Sequence, residues 1–121
     1  KRGCGYDAEN VMTRVRIDTS RLGRDIYITG HCQNEGDGSA QASLVCAALT
    51  TLAETIAQNV YDSEDTGDTD IIDVTLRSGQ AIISYVTDDE QLNTAVDGIS
   101  KGFFMLAENY PEYVECCKNE G

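Results

Sequence analysis

The apolar residues switch between two spacings along the chain, and that switching restricts the fold more than any other feature. Thr13, Val15 and Ile17 alternate with Arg14, Arg16 and Asp18, the period of two of a half-exposed strand. From about Ser43 the period changes: Val45, Leu49, Leu52, Ile56 and Val60 follow one another at steps of four, three, four and four, which lines one face of a helix. The same spacing returns in Leu92, Val96, Ile99, Phe103, Leu106 and Tyr110. Two stripes of this kind need a common surface to cover, and the segments between them supply it as strands.

Asp25 to Thr29 (DIYIT) reads as a second strand, separated from the first by a turn over Thr19 to Arg24 that contains Gly23; the two strands predict a hairpin. Gly30 ends it. His31 to Ser43 holds Asn34, Gly36, Asp37 and Gly38 and reads as a loop. Tyr61 to Asp70 (YDSEDTGDTD) is rich in acids with one glycine and predicts an exposed loop without the ligand spacing of a calcium loop. DIIDVTLR and QAIISYV flank Ser78-Gly79, a hairpin with a two-residue connection. Thr87 followed by Glu90 fits a capping box for the second helix, Pro111 stops it, and Tyr113 to Cys117 could form a last strand. The expected class is α+β: two helices on a mostly antiparallel sheet, in the order β-β-α-β-β-α-β, one domain over all 121 residues with residues 1–11 a flexible start.

Nine Lys and Arg against 21 Asp and Glu give 9 − 21 = −12. That charge repels phosphate backbones, so nucleic acid is not an expected partner. No apolar run approaches the ~20 residues of a membrane span, and KRGCGYDAEN has no apolar stretch of the kind that forms a secretory signal. The sequence begins at Lys1, which leaves room for an upstream piece. The five cysteines, at 4, 32, 46, 116 and 117, are odd in number. Without a signal segment they read as reduced thiols in a cytoplasmic protein.

The candidate chemistry lies in His31, the chain's one histidine, and Cys46. His31 follows the end of a strand. Cys46 falls in the first turn of the next helix if Ser43 is its N-cap, where orphan N–H groups and the positive end of the dipole favour a thiolate. A neighbouring histidine lowers a thiol pKa further and can move the proton, and backbone N–H groups there could form an oxyanion hole. If Ser39 were the cap instead, Cys46 would lie almost two turns in and the dipole effect would fade. Strand, histidine, loop, cysteine, helix is the order of parts in a Cys/His hydrolase. The plainer reading is a buried Cys46 packed as a small hydrophobe.

The stretch Ile28-Thr29-Gly30-His31, a glycine-bearing loop and then Leu44-Val45-Cys46-Ala47-Ala48-Leu49-Thr50-Thr51-Leu52 resembles the ribosomal-processing cysteine proteases of bacteria. The ending Gly98, Gly102, Phe103, Leu106, Ala107 and Tyr110-Pro111-Glu112-Tyr113-Val114 is similar to theirs as well. The resemblance implies that Cys46 is the nucleophile and His31 its base. It makes Gly30, Gly36, Gly38, Ser43 and Thr50 the substrate-loop and supporting positions. Ser43 stands where the family carries an acid, Cys32 replaces an alanine, and the loop is about three residues longer than is usual there. The implied activity is trimming of the N-terminal extension of a large-subunit ribosomal protein, or of a related phage structural protein. A homodimer and a mobile loop over the site are implied too, with no cofactor and no metal. Two other classes compete: a non-catalytic interaction domain or inactivated relative, and a zinc protein using His31, Cys32, Cys46, Cys116 and Cys117, whose spacing lacks a CxxC pair.

Overall fold

A computed structural model of the chain describes residues 13–30 and 40–120. The elements follow in the order β1 (Thr13–Thr19), β2 (Gly23–Gly30), α1 (Ala40–Asp65), β3 (Thr69–Arg77), β4 (Gln80–Thr87), α2 (Glu90–Asn109) and β5 (Val114–Glu120). This is the expected α+β order. The strands form one sheet, β3-β4-β2-β1-β5. β5 runs parallel to β1 and every other pair is antiparallel.

Alternation along the strands puts Val15, Ile17, Ile26, Ile28, Ile83 and Tyr85 on one face, where they join Val45, Leu49, Ile56, Leu92, Val96 and Phe103 from the helices in a single core. Leu52, Ile99 and Leu106 sit partly buried at its margin, so both helical stripes face the sheet. Burying a side chain such as Phe103 contributes about 1.5–3 kcal/mol. At 26 residues, α1 is long and apolar enough by length and composition to cross a membrane, which the sequence alone did not show. Its apolar stripe is spent on this core.

Polar groups pin the layers together. Arg24 donates from Nε to Asp97 Oδ1 at 2.7 Å and from Nη2 to Asp97 Oδ2 at 2.8 Å, a two-point bond between β2 and α2. It raises the Arg24 pKa and lowers that of Asp97. The Tyr85 hydroxyl donates to Asn93 Oδ1 at 2.7 Å inside the core, and burial pushes its pKa up.

Several boundaries differ from the sequence reading. α1 begins at Ala40, three residues before Ser43, and continues through Tyr61 to Asp65, where a loop was expected. Its acids there point to solvent, while Ser63 turns inward to bond with Thr69 Oγ1, which in turn meets Thr87 Oγ1 at 2.7 Å. That buried hydroxyl chain gives the end of α1 a partner that composition cannot reveal. The N-cap of α2 is Asp89, whose carboxylate accepts from the N–H of Gln91. Thr87 lies two residues before that cap and accepts instead from the N–H of Asp89.

The cysteines also depart from expectation. Cys117 is disulfide-bonded, so the five are not all reduced thiols, whereas Cys46 and Cys116 are free. Spacing along a chain does not show which sulfurs a sheet brings within bonding reach. Cys4 and Cys32 lie outside the described residues, as does the span 1–11 expected to be a flexible start.

The two glycines of α2 make different predictions. A Cβ on Gly98 meets nothing within 4 Å, so Gly98→Ala should stabilise the protein by about 0.5–1 kcal/mol through helix propensity. A Cβ on Gly102 would come within 2.8 Å of Leu52 Cδ2. Gly102→Ala obliges the partly buried Leu52 side chain to move, a repacking cost that offsets the gain in helix propensity, so it should be less stable than Gly98→Ala. Urea unfolding of both variants measures the difference.

Candidate active site

The site is assembled where the middle of the sheet meets the start of α1. β2 and β4 pair so that Thr29 lies opposite Gln80, and the N–H of Gly30 donates to the carbonyl of Gly79 at 3.1 Å. The tip of the β3–β4 hairpin is thereby fastened beside the point at which the chain leaves β2. Both residues require glycine: Gly30 has φ 103° and Gly79 φ 82°, in the region where a Cβ is strained. α1 then returns across the sheet as the facing wall.

Between these walls lies a cleft of about 420 Å3. Cys46 and Thr50 line it from successive turns of α1, and Gly30 and Thr13 line it from the sheet. Its floor is apolar, with Ile28, Leu49, Ala53 and Ala81, and the exposed Leu76 adds apolar surface beside the hairpin wall. Arg77, Ser78, Gly79 and Gln80 form the hairpin wall opposite the helix, and Glu54 extends the helix wall one turn beyond Thr50. A polar rim over an apolar floor of this volume suits a peptide or another small ligand.

Cys46 is a half-buried free thiol on this cleft. It is the seventh residue of α1, so its N–H comes after the four donors that a helix end leaves unpaired. The arrangement with Ser43 as cap is therefore replaced by the earlier start, and the helix-end donors are not positioned around the thiol. Cys116 differs from Cys46: burial pushes its thiol up to about 12, which leaves it protonated and inert.

Of the site residues expected from sequence, the cleft unites Gly30, Cys46 and Thr50. Ser43 occupies the first turn of α1, exposed and away from the cleft lining. His31, Gly36 and Gly38 lie outside the described residues, as does the expected mobile loop up to Ser39. The rest of that loop, Ala40 to Ala42, is helical, with Ala42 buried against the core. Thr13, Glu54 and the hairpin wall were not anticipated. The Ser78-Gly79 turn was visible, but its closeness to Gly30 follows only from β4 pairing with β2. Among the described residues no three His, Cys, Asp or Glu side chains gather as a metal site would require.

The sequence model of the cysteine protease Prp family matches residues 12–115, and the chain belongs to that family. The fold is similar to the crystal structure of SMU.848 from Streptococcus mutans, with a TM-score of 0.66 at 20% identity over 94% of this chain and 99% of that one. It is also similar to the essential ribosomal processing protease Prp from S. aureus. The complex of that protease with a covalently linked product peptide aligns with a TM-score of 0.61 at 18% identity, over 89% of this chain and 100% of that one. Its complex with a substrate peptide aligns with a TM-score of 0.56 at 16% identity over the same shares, 89% and 100%. A search of curated proteins found no match.

The contrast between the two free thiols is measurable. Iodoacetamide at pH 8 should modify Cys46 in the folded protein and leave Cys116 untouched until denaturant is added, as read by peptide mapping. Equal labelling of both in the folded state would contradict the burial of Cys116, and no labelling of Cys46 would contradict its place on an open cleft.

Proposed function

We propose that the chain is an endopeptidase in which Cys46 attacks the scissile carbonyl and His31 carries the proton. The observation that carries this reading is that a free, half-buried thiol lines the same peptide-sized cleft as Gly30, the residue immediately before the chain's one histidine. Family membership supports it.

The chemistry runs in two halves. His31 takes the Cys46 proton, and the sulfur adds to the carbonyl carbon. The carbon–nitrogen bond then breaks as His31 returns the proton to the leaving amine, giving a thioester. Water, deprotonated by His31, adds to the thioester. The carbon–sulfur bond breaks and the thiol is restored. Because Cys46 lies inside α1 rather than at its end, activation of the thiol rests on the histidine more than on the helix dipole.

The proposed substrate is the N-terminal extension of a large-subunit ribosomal protein or a related phage structural protein, processed in the cytoplasm by a homodimer. The peptide complexes of the S. aureus protease support a peptide substrate. A basic ribosomal segment also suits a chain of net charge −12. A non-catalytic role is the second reading, and one observation favours it: α1 starts too early for its terminal N–H groups to serve Cys46.

Mutation separates the two. Cys46→Ala should abolish cleavage of an extension-bearing ribosomal protein while circular dichroism stays unchanged. His31→Ala should lower the rate by roughly 10²–10⁴-fold, the usual contribution of a positioned acid–base group. Mass spectrometry of the products reads both. Cleavage by Cys46→Ala at the wild-type rate would dismiss the mechanism.

A further inference from the structure

We propose that Glu54 and Arg77 make the cleft charge-selective, so that it takes an extended peptide with a basic side chain toward α1 and orients it between walls of opposite sign. The proposal rests on the endopeptidase reading for the position of the cut bond, and on the cleft itself for the selection.

Glu54 and Arg77 are both exposed and both line the cleft, one from α1 and the other from the hairpin wall. No ion pair joins them: the described salt bridges are Arg14–Glu115, Arg16–Asp18, Arg24–Asp97 and Lys118–Glu120. Arg24, by contrast, is held in a two-point bond to Asp97. The charges at the cleft are thus left available, beside an apolar floor that includes Ile28 and Leu49. A charge pair formed beside such a floor is screened less than one in open solvent.

The helix provides a ruler. Cys46, Thr50 and Glu54 are spaced at steps of four along one face of α1. Eight residues at about 1.5 Å of rise each separate Glu54 from Cys46 by about 12 Å. An extended peptide advances about 3.3 Å per residue, so Glu54 meets the side chain about three or four residues from the scissile bond. Arg77 lies across the cleft and repels a basic residue placed on its own side. A peptide entered in the reverse direction would bring its cation to the wrong wall. Opposite signs on opposite walls therefore select direction as well as composition, a role in which charge acts more through specificity than through raw affinity.

The test is binding to Cys46→Ala protein of decapeptide libraries in which one fixed position is Lys, Gln or Glu. At one position Lys should bind about fivefold better than Glu, the scale of an exposed ion pair. Glu54→Gln should remove that preference at that position alone, Glu54→Lys should invert it, and 0.5 M salt should erase it. A preference for Lys spread evenly over all positions would reflect net charge and overturn the proposal. So would a Lys-to-Glu ratio unchanged in Glu54→Gln, or no binding of any library. Cleavage is read separately on the wild-type protein: a position-specific preference without cleavage would sink the endopeptidase reading and leave the selectivity of the cleft standing.

Discussion

The pairing of β2 with β4 is the constraint from which the site follows. Thr29 lies opposite Gln80, and the bond from Gly30 to Gly79 extends that register by one step. A slip of one residue would turn Ile26 and Ile28 out of the core, so burial of these side chains enforces the register. The register in turn holds the hairpin tip against the exit from β2. Gly30 and Gly79 occur where the two backbones come together with positive φ. The cleft is thus built by core packing on the sheet face and needs no contacts of its own to stay open.

The second layer depends on the first. α1 and α2 cover the same sheet face, with Gly102 giving Leu52 room at their crossing. Arg24–Asp97 and Tyr85–Asn93 tie α2 to the strands, and the Ser63–Thr69–Thr87 chain ties the end of α1 to β3 and β4. With α1 held at its crossing with α2 and at its C-terminal end, Cys46, Thr50 and Glu54 are presented at constant spacing to the hairpin wall. On the other face, Glu115 of β5 is buried with Arg14 Nε as its nearest cation at 3.6 Å, and the neighbouring Cys117 is disulfide-bonded.

The architecture was legible in the sequence because it is written in periods. Alternation in β1 and the stripes Val45 to Val60 and Leu92 to Tyr110 report which side chains share a face, and those faces became the core. Ends of elements were less legible, since they depend on which hydroxyl or carboxylate finds an unpaired N–H in three dimensions. Thr87 and Asp89 are both good caps, and only the fold decides between them. The acids after Tyr61 suggest a loop, yet exposed acids are also at ease on a helix surface. Half of the cleft was readable from the Gly30 to Thr50 stretch. The other half, Arg77 to Ala81, comes from a hairpin distant in sequence and is brought in by a strand pairing that no local pattern encodes.

The central claim is that the sulfur of Cys46 becomes bonded to the substrate carbonyl. Rapid acid quenching of the wild-type protein during turnover of an extension-bearing ribosomal protein, followed by peptide mapping, tests it directly. An acyl adduct is expected on the peptide that contains Cys46, lost when the complex is left to hydrolyse. An adduct on any other residue, or steady cleavage with none formed at Cys46, would contradict it.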